Sequence, residues 1–129
     1  MNRPAARWVL VAGWAGTLFA LSAQSNLPTP PVPGFDKFEH AGAYGLLAFL
    51  LARAWFPSLR PRPATHRWAL VVLVTFLYGV FDEVHQAFVP SRSCDPWDAV
   101  ADLSGAVLCA AIVGGLMRNT RWPARVGLE

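Results

Sequence analysis

Residues 98–118 read DAVADLSGAVLCAAIVGGLMR: two acids one helical turn apart, an apolar run from Ala99 to Met117, and an arginine beyond it. As a helix, about 20 such residues rising 1.5 Å each cross the roughly 30 Å hydrocarbon core of a bilayer. Asp102 lies one turn inside the run, where an ionisable group is costly unless it is paired or lines a polar cavity.

The same arrangement recurs toward the N-terminus. Apolar runs cover Trp8–Ala23, Phe38–Phe56 and Trp68–Phe81, the last continuing through a polar turn to Phe88. With snorkelling end residues included, the expected spans are about 8–23, 38–56, 68–88 and 99–117. Seven of the eight acids sit at one set of ends: Asp36 and Glu39, Asp82 and Glu83, then Asp95, Asp98 and Asp102, with Glu129 the exception. Nine of the eleven basic residues sit at the opposite ends: Arg3, Arg7, Arg53, Arg60, Arg62, Arg67, Arg118, Arg121 and Arg125. A membrane sorts a chain in this way as it threads back and forth. The positive-inside rule puts the arginine ends, and both termini, in the cytoplasm. Trp8, Trp55, Trp68 and Trp122 then form an inner interfacial belt, with Trp97 at the outer face.

Composition agrees. The 129 residues are 54% hydrophobic and only 15% charged, too little charge to cover a soluble domain of this size. The expectation is one all-α domain, 1–129: a four-helix membrane bundle with N-terminus and C-terminus both inside. The formal charge of +3 does not signal nucleic acid, because the arginines mark segment ends rather than one helical face. Arg3, Arg7, the apolar middle and the small Ala20 and Ala23 also fit a cleaved signal peptide. The length of the run favours a retained span, and the topology of the rest is the same either way. Cys94 in a loop and Cys109 well inside the last run are too far apart for a disulfide.

Pro28 to Gly34 (Pro-Thr-Pro-Pro-Val-Pro-Gly) cannot be helical and reads as a stiff outer connector; Pro57, Pro61 and Pro63 mark an inner one. Ala12 with Gly16, Ala41 with Gly45, and Ala101 with Gly105 are each four apart, the spacing that lets helix backbones approach closely in lipid.

Three polar stretches gather on the outer side. Asp36, His40 and Tyr44 are successive i+4 steps; Asp82 reaches His85 at i+3 and Gln86 at i+4; Asp98 and Asp102 are again i+4. Asp36–His40 and Asp82–His85 have the spacing of carboxylate–imidazole pairs for proton transfer. They equally fit interhelical hydrogen bonds that hold the bundle together. Glu39, Lys37 and Asp95 lie nearer the water and read first as solvated ends. Arg92 either clamps an anion or pairs with Asp98 or Asp82. Two histidines and several aspartates are suitable metal donors, but no HExxH-like spacing accompanies them, so metal and cofactor stay unassigned. Ser91 and Ser93 lack a nucleophile elbow, Cys94 lacks an activating base, and His66 reads as solvated. The inner halves of the spans hold almost only apolar residues plus Arg53, which argues against transport.

These stretches resemble the VanZ-like family of small bacterial integral membrane proteins. The resemblance rests on Asp36-Lys37 with His40 and Tyr44, on Asp82-Glu83-x-His85-Gln86 with Phe88, Pro90 and Arg92, and on Asp98, Asp102 and Gly105. It covers roughly residues 35 to 113. Members more often carry Gly where this chain has Ser91, and frequently Asn where it has Asp102. The resemblance implies a multi-pass protein of the bacterial cytoplasmic membrane, in a family whose namesake is associated with low-level teicoplanin resistance. It also implies that the matched residues form a shared functional set. His40, His85, Asp82 and Asp36 are then the catalytic candidates, and Lys37, Tyr44, Glu83, Gln86, Arg92, Asp98 and Asp102 the ligand-binding ones. The expected ligand is an anionic or amphiphilic envelope molecule: a lipid headgroup, a cell-wall lipid precursor or a lipoglycopeptide. Whether a reaction is catalysed stays open beside a non-catalytic, accessory role.

Overall fold

The structure, a computed structural model, describes residues 3–28, 30–56 and 65–119, with side chains omitted at Arg3, Arg118 and Asn119. It contains four helices and, among the described residues, no strand: α1 (Arg3–Ser22), α2 (Phe35–Trp55), α3 (Thr65–Gln86) and α4 (Pro96–Asn119). All-α architecture is as expected. Arg60, Arg62, Arg121, Trp122 and Arg125 lie outside the described residues.

Each helix begins about a turn before its apolar run, in the polar flank. At α4, the Asp95 Oδ1 accepts the Trp97 N–H at 2.9 Å. Pro96 supplies the fixed φ and missing donor suited to a first helical position. α2 starts directly after Gly34, whose φ of 77° is open to glycine and strained for most residues. α3 stops at Gln86, and Phe88 lies beyond it in a turn, exposed.

Three helices are long and apolar enough to cross a membrane: Pro4–Ser22, Thr65–Gln86 and Pro96–Met117. Their apolar side chains, among them Leu10, Leu70, Leu77, Leu108 and Ile112, point largely outward. A soluble fold would hide them. α2, interrupted by Asp36, Lys37, Glu39 and Arg53, is the central helix instead, packing on α4 most extensively and also on α1 and α3.

The α2–α4 contact is very close. A Cβ on Gly105 would overlap the carbonyl oxygen of Ala41, and one on Gly45 would lie 3.2 Å from the Gly105 carbonyl oxygen. The small residues at 41, 45 and 105 therefore act as the spacing suggests. Gly16 does not: nothing lies within 4 Å of its Cβ position, and Ala12 and Gly16 are both exposed. α1 is attached by polar bonds instead, Trp14 Nε1–H to Ala43 O at 2.9 Å and Tyr78 O–H to Ala15 O at 2.6 Å.

At the arginine end, Ala48, Leu51, Ala52, Phe56, Val71 and Ala106 form an apolar core. Trp68 belongs to that core, only 4% exposed, rather than to an interfacial belt. Trp8 and Trp55 do meet at that end, edge to face at 6.3 Å, and Trp97 is well exposed at the other.

Candidate functional site

The up-and-down order brings the C-terminal ends of α1 and α3 to the N-terminal ends of α2 and α4, and the acids collect there. Asp82 is 3% exposed and is satisfied by two hydroxyls. Ser22 of α1 donates to its Oδ1 at 2.5 Å, and Tyr44 of α2 donates to its Oδ2 at 3.1 Å. The expected Asp82–His85 pair is not direct. Ser22 stands between them, its Oγ 3.3 Å from His85 Nδ1. The His85 ring stacks on Phe19 at 4.3 Å.

His40 also has a different partner from the one its spacing suggests. Its Nδ1 lies 2.9 Å from Asp102 Oδ1, and its Nε2 lies 3.6 Å from Asp98 Oδ2. Asp102 is completely buried. The acid one turn up α2 lost to the acid across the helix interface, because the Ala41–Gly105 approach sets the two backbones close together. Asp102 also needs space that a side chain on α3 would fill: a Cβ at Gly79 would lie 2.6 Å from its Oδ2. Tyr44 does share the His40 face, the two rings parallel at 6.3 Å.

Asp36 pairs with Lys37 instead. The Lys37 ammonium donates to Asp36 Oδ2 at 2.7 Å, Asp95 Oδ2 at 2.7 Å and Asp98 Oδ1 at 2.6 Å. Lys37 is thus a clasp between the start of α2 and the start of α4, not a solvated end. Partial burial alone would push the Lys37 pKa down, but its three carboxylate partners outweigh that and raise it. Hydrogen bonding to the ammonium holds Asp36 and Asp95 below the usual carboxylate range.

Arg92 pairs with neither Asp98 nor Asp82; its guanidinium donates to Gln86 Oε1 at 2.7 Å. Glu83, 3% exposed, accepts the Asp95 backbone N–H on Oε2 at 3.0 Å, while its Oε1 has no hydrogen-bond partner. Asp102 Oδ2 is likewise without one.

These groups border a cavity of about 750 Å³. Leu18, Leu21, Leu27 and Val32, with Pro28, Pro30 and Pro33, make an apolar wall. Asp36, Glu39, His40, Tyr44, Asp82, Gln86, Arg92, Asp95 and Asp98 make the polar one, and Ser22, Ser91 and Ser93 also line it. The expected site residues are therefore gathered at one end of the bundle, although Lys37, Glu83, His85 and Asp102 stand behind the cavity surface. Two groups of donors are close enough to share a cation: His40, Glu83 and Asp98, and separately Asp36, Asp95 and Asp98. Ser22 and Gly79 were not singled out in the sequence. Ser22 is one of several small residues closing the first apolar run, and Gly79 is a lone glycine in the third.

A family model described as VanZ/LLP1 matches residues 6–117, a wider stretch than the motifs alone cover. No curated protein and no solved structure matches the chain.

Proposed function

The chain belongs to the VanZ/LLP1 family, and we propose that it is a four-span protein of the bacterial cytoplasmic membrane, both termini inside, whose cavity holds an amphiphilic envelope ligand from the outer side. α2 completes the four spans in this reading. Its charges lie at its two ends, and its neighbours shield it from lipid on most sides. The sorting of acids and arginines supports the orientation.

The observation that carries the ligand class is the two-sided cavity: one wall of leucine, valine and proline, the other of titratable groups, in a volume suited to a headgroup and part of an acyl chain. A phospholipid, a lipid-linked cell-wall precursor and a lipoglycopeptide all combine those two halves. Arg92 offers the ligand a cation at the polar wall, and His40, backed by Asp102, offers a proton acceptor or donor. Ser22 takes the place of a direct Asp82–His85 contact, which makes His40 the stronger centre for any proton transfer. A role in glycopeptide tolerance would follow if the ligand is the drug or its target.

Two measurements test this. A photoreactive phosphatidylglycerol in nanodiscs should crosslink within residues 18–44 and 82–98. Leu21→Trp, which fills the apolar wall, and Arg92→Ala should each lower that yield about tenfold. Crosslinks spread evenly along the lipid-facing helices and indifferent to Leu21→Trp would reject the cavity. For orientation, an impermeant maleimide should label Cys94 in intact cells and leave Cys109, within the span, unlabelled; labelling of Cys94 only after the membrane is permeabilised places the site inside.

A second reading also has its observation. Ser22–Asp82–Tyr44 and His40–Asp102 are interhelical bonds, and a cluster that only holds helices together needs no ligand. Loss of His40→Ala and His85→Ala from the membrane, with no change in crosslinking per surviving molecule, would favour it.

A further inference from the structure

We propose that His40, Glu83 and Asp98 bind one divalent transition-metal ion, Zn²⁺ being the best match, with an open coordination position toward the cavity. The inference rests on the reading above in taking the acidic end of the bundle as the working site, and it gives the His40 imidazole to the metal in place of a proton-transfer role.

The donor atoms of these three residues all lie within 4.8 Å of one another. The His40 Nε2 to Asp98 Oδ2 distance of 3.6 Å is too long for a hydrogen bond. It is close to the roughly 3.4 Å that separates two ligands held at about 2.1 Å around a tetrahedral metal. The imidazole is already oriented for coordination. Asp102 Oδ1 lies 2.9 Å from Nδ1; with the Nδ1–H donated to it, Nε2, 3.6 Å from Asp98 Oδ2, is free to coordinate. A carboxylate behind the ring in this way is the usual support of a metal-bound histidine.

Glu83 supplies the independent observation. Its carboxylate is 3% exposed, one oxygen accepts the Asp95 N–H, and the other has no partner at all. A buried carboxylate oxygen left in that condition costs several kcal/mol in a low-dielectric interior, of order 2–7. A cation among Glu83, Asp98 and His40 removes the penalty.

Charge points the same way. Asp36, Glu83, Asp95, Asp98 and Asp102 crowd together, and among the described residues Lys37 and the titratable His40 are the basic groups paired within the group. Lys37 takes Asp36, Asp95 and the Oδ1 of Asp98. That ammonium already occupies the other donor group, Asp36–Asp95–Asp98, so no metal is assigned there. It does not reach Asp98 Oδ2 or Glu83, which have His40 as their basic neighbour.

One imidazole and two carboxylates fit Zn²⁺ or Mn²⁺ better than Ca²⁺ or Mg²⁺, which prefer all-oxygen surroundings. Three protein ligands are also what an open zinc site carries. His40 and Asp98 line the cavity and Glu83 closes the site from behind, so the fourth position faces the ligand space. The metal would give a phosphate or carboxylate headgroup a second cationic docking point, beside Arg92, on a wall rich in acids.

Full-length protein in detergent, stripped with chelator and titrated with ZnCl₂ alone, should take up one equivalent by calorimetry and by metal analysis. Glu83→Gln and His40→Ala should each weaken uptake at least 100-fold. Asp102→Asn, behind the ring, should weaken it 10- to 100-fold. His66→Ala, at the opposite end of α3, should leave it unchanged. Should a site variant fail to fold, Co²⁺-loaded wild type decides: a spectrum of nitrogen and oxygen ligands supports the site, and a thiolate charge-transfer band, which would place the metal on a cysteine, overturns it. No stoichiometric uptake of Zn²⁺ or Mn²⁺, or uptake that survives both ligand substitutions, also overturns it. Uptake at this site without cavity crosslinking leaves the metal standing and removes the amphiphile; cavity crosslinking without uptake does the reverse.

Discussion

Gly105→Ala should cost more than any other glycine-to-alanine change in the bundle. Its new Cβ would lie 2.7 Å and 2.9 Å from the carbonyl carbon and Cα of Ala41, and closer still to the oxygen. These are backbone atoms of a packed helix and cannot rotate away, so α2 and α4 must separate by about 0.7 Å or more to reach ordinary contact in a densely packed interior. Overpacking of this kind costs about 1–3 kcal/mol. The better helix propensity of alanine returns about 1 kcal/mol. The separation also stretches the 2.9 Å bond between His40 and Asp102, one turn above the contact. An interhelical hydrogen bond in lipid is worth about 0.6 kcal/mol, with a maximum near 1.7. The expected net loss is about 1–3 kcal/mol. Reversible unfolding from mild detergent into SDS measures it, with two controls. Gly42→Ala, with nothing within 4 Å of its Cβ position, should be neutral or stabilising. Gly45→Ala, at 3.2 Å from the Gly105 carbonyl oxygen, should fall between them. If Gly105→Ala unfolds at the same SDS fraction as Gly42→Ala, the close α2–α4 crossing is wrong.

The Lys37 clasp sets a pH dependence. Asp36 and Asp95 are held below their ordinary pKa, so their stabilisation is complete above about pH 4 and is lost as pH falls through the lowered values. Lys37, raised, stays charged throughout that window and up to beyond about pH 10. Lys37→Met should therefore lower the unfolding temperature at pH 7, with the gap to wild type closing below about pH 4; a gap that persists in acid would mean that packing, not charge, holds the clasp. Ser91 has a φ of 64°, in the left-handed region that costs an L-residue about 1–2 kcal/mol. Ser91→Gly should stabilise by about 0.5–1 kcal/mol in the same SDS assay, after the greater chain entropy of glycine is counted, and destabilisation would refute the strained turn.

Helix number, the end at which the acids gather, and the small residues at which α2 and α4 approach were legible because each rests on a simple pattern: long apolar runs, charges at their ends, and small residues four apart; which helices would cross was not. Partner choice was not. Helical spacing pairs His40 with Asp36 and His85 with Asp82, but spacing describes one helix at a time. The facing helix brings Asp102 to His40 and α1 brings Ser22 between Asp82 and His85. Gly79 is another case: its lack of a side chain matters only because Asp102 arrives opposite it. The same limit explains Lys37, whose three carboxylate partners come from two separate segments of the chain. The positive φ of Ser91 is likewise a local backbone feature that the sequence alone does not expose.

The two ends of the bundle are held by different forces, and the difference bears on function. At the arginine end Ala48, Leu51, Ala52, Phe56, Val71 and Ala106 fit together by shape. Lipid is as apolar as they are, so burial adds little there and close packing does most. At the acidic end, opening the bundle would expose Asp82, Glu83 and Asp102 to hydrocarbon, which is far more costly. A network meant only to stitch helices should therefore pair every oxygen it buries. Asp82 meets that standard, with one hydroxyl on each oxygen. Glu83 and Asp102 do not, for each keeps an unpaired oxygen beside His40 or Gly79. The mismatch separates two parts of one cluster. Ser22, Tyr44 and Asp82 have the closed pairing of a structural stitch. His40, Glu83, Asp98 and Asp102 keep spare donor capacity next to an amphipathic cavity, and that is where a bound ion and its ligand belong.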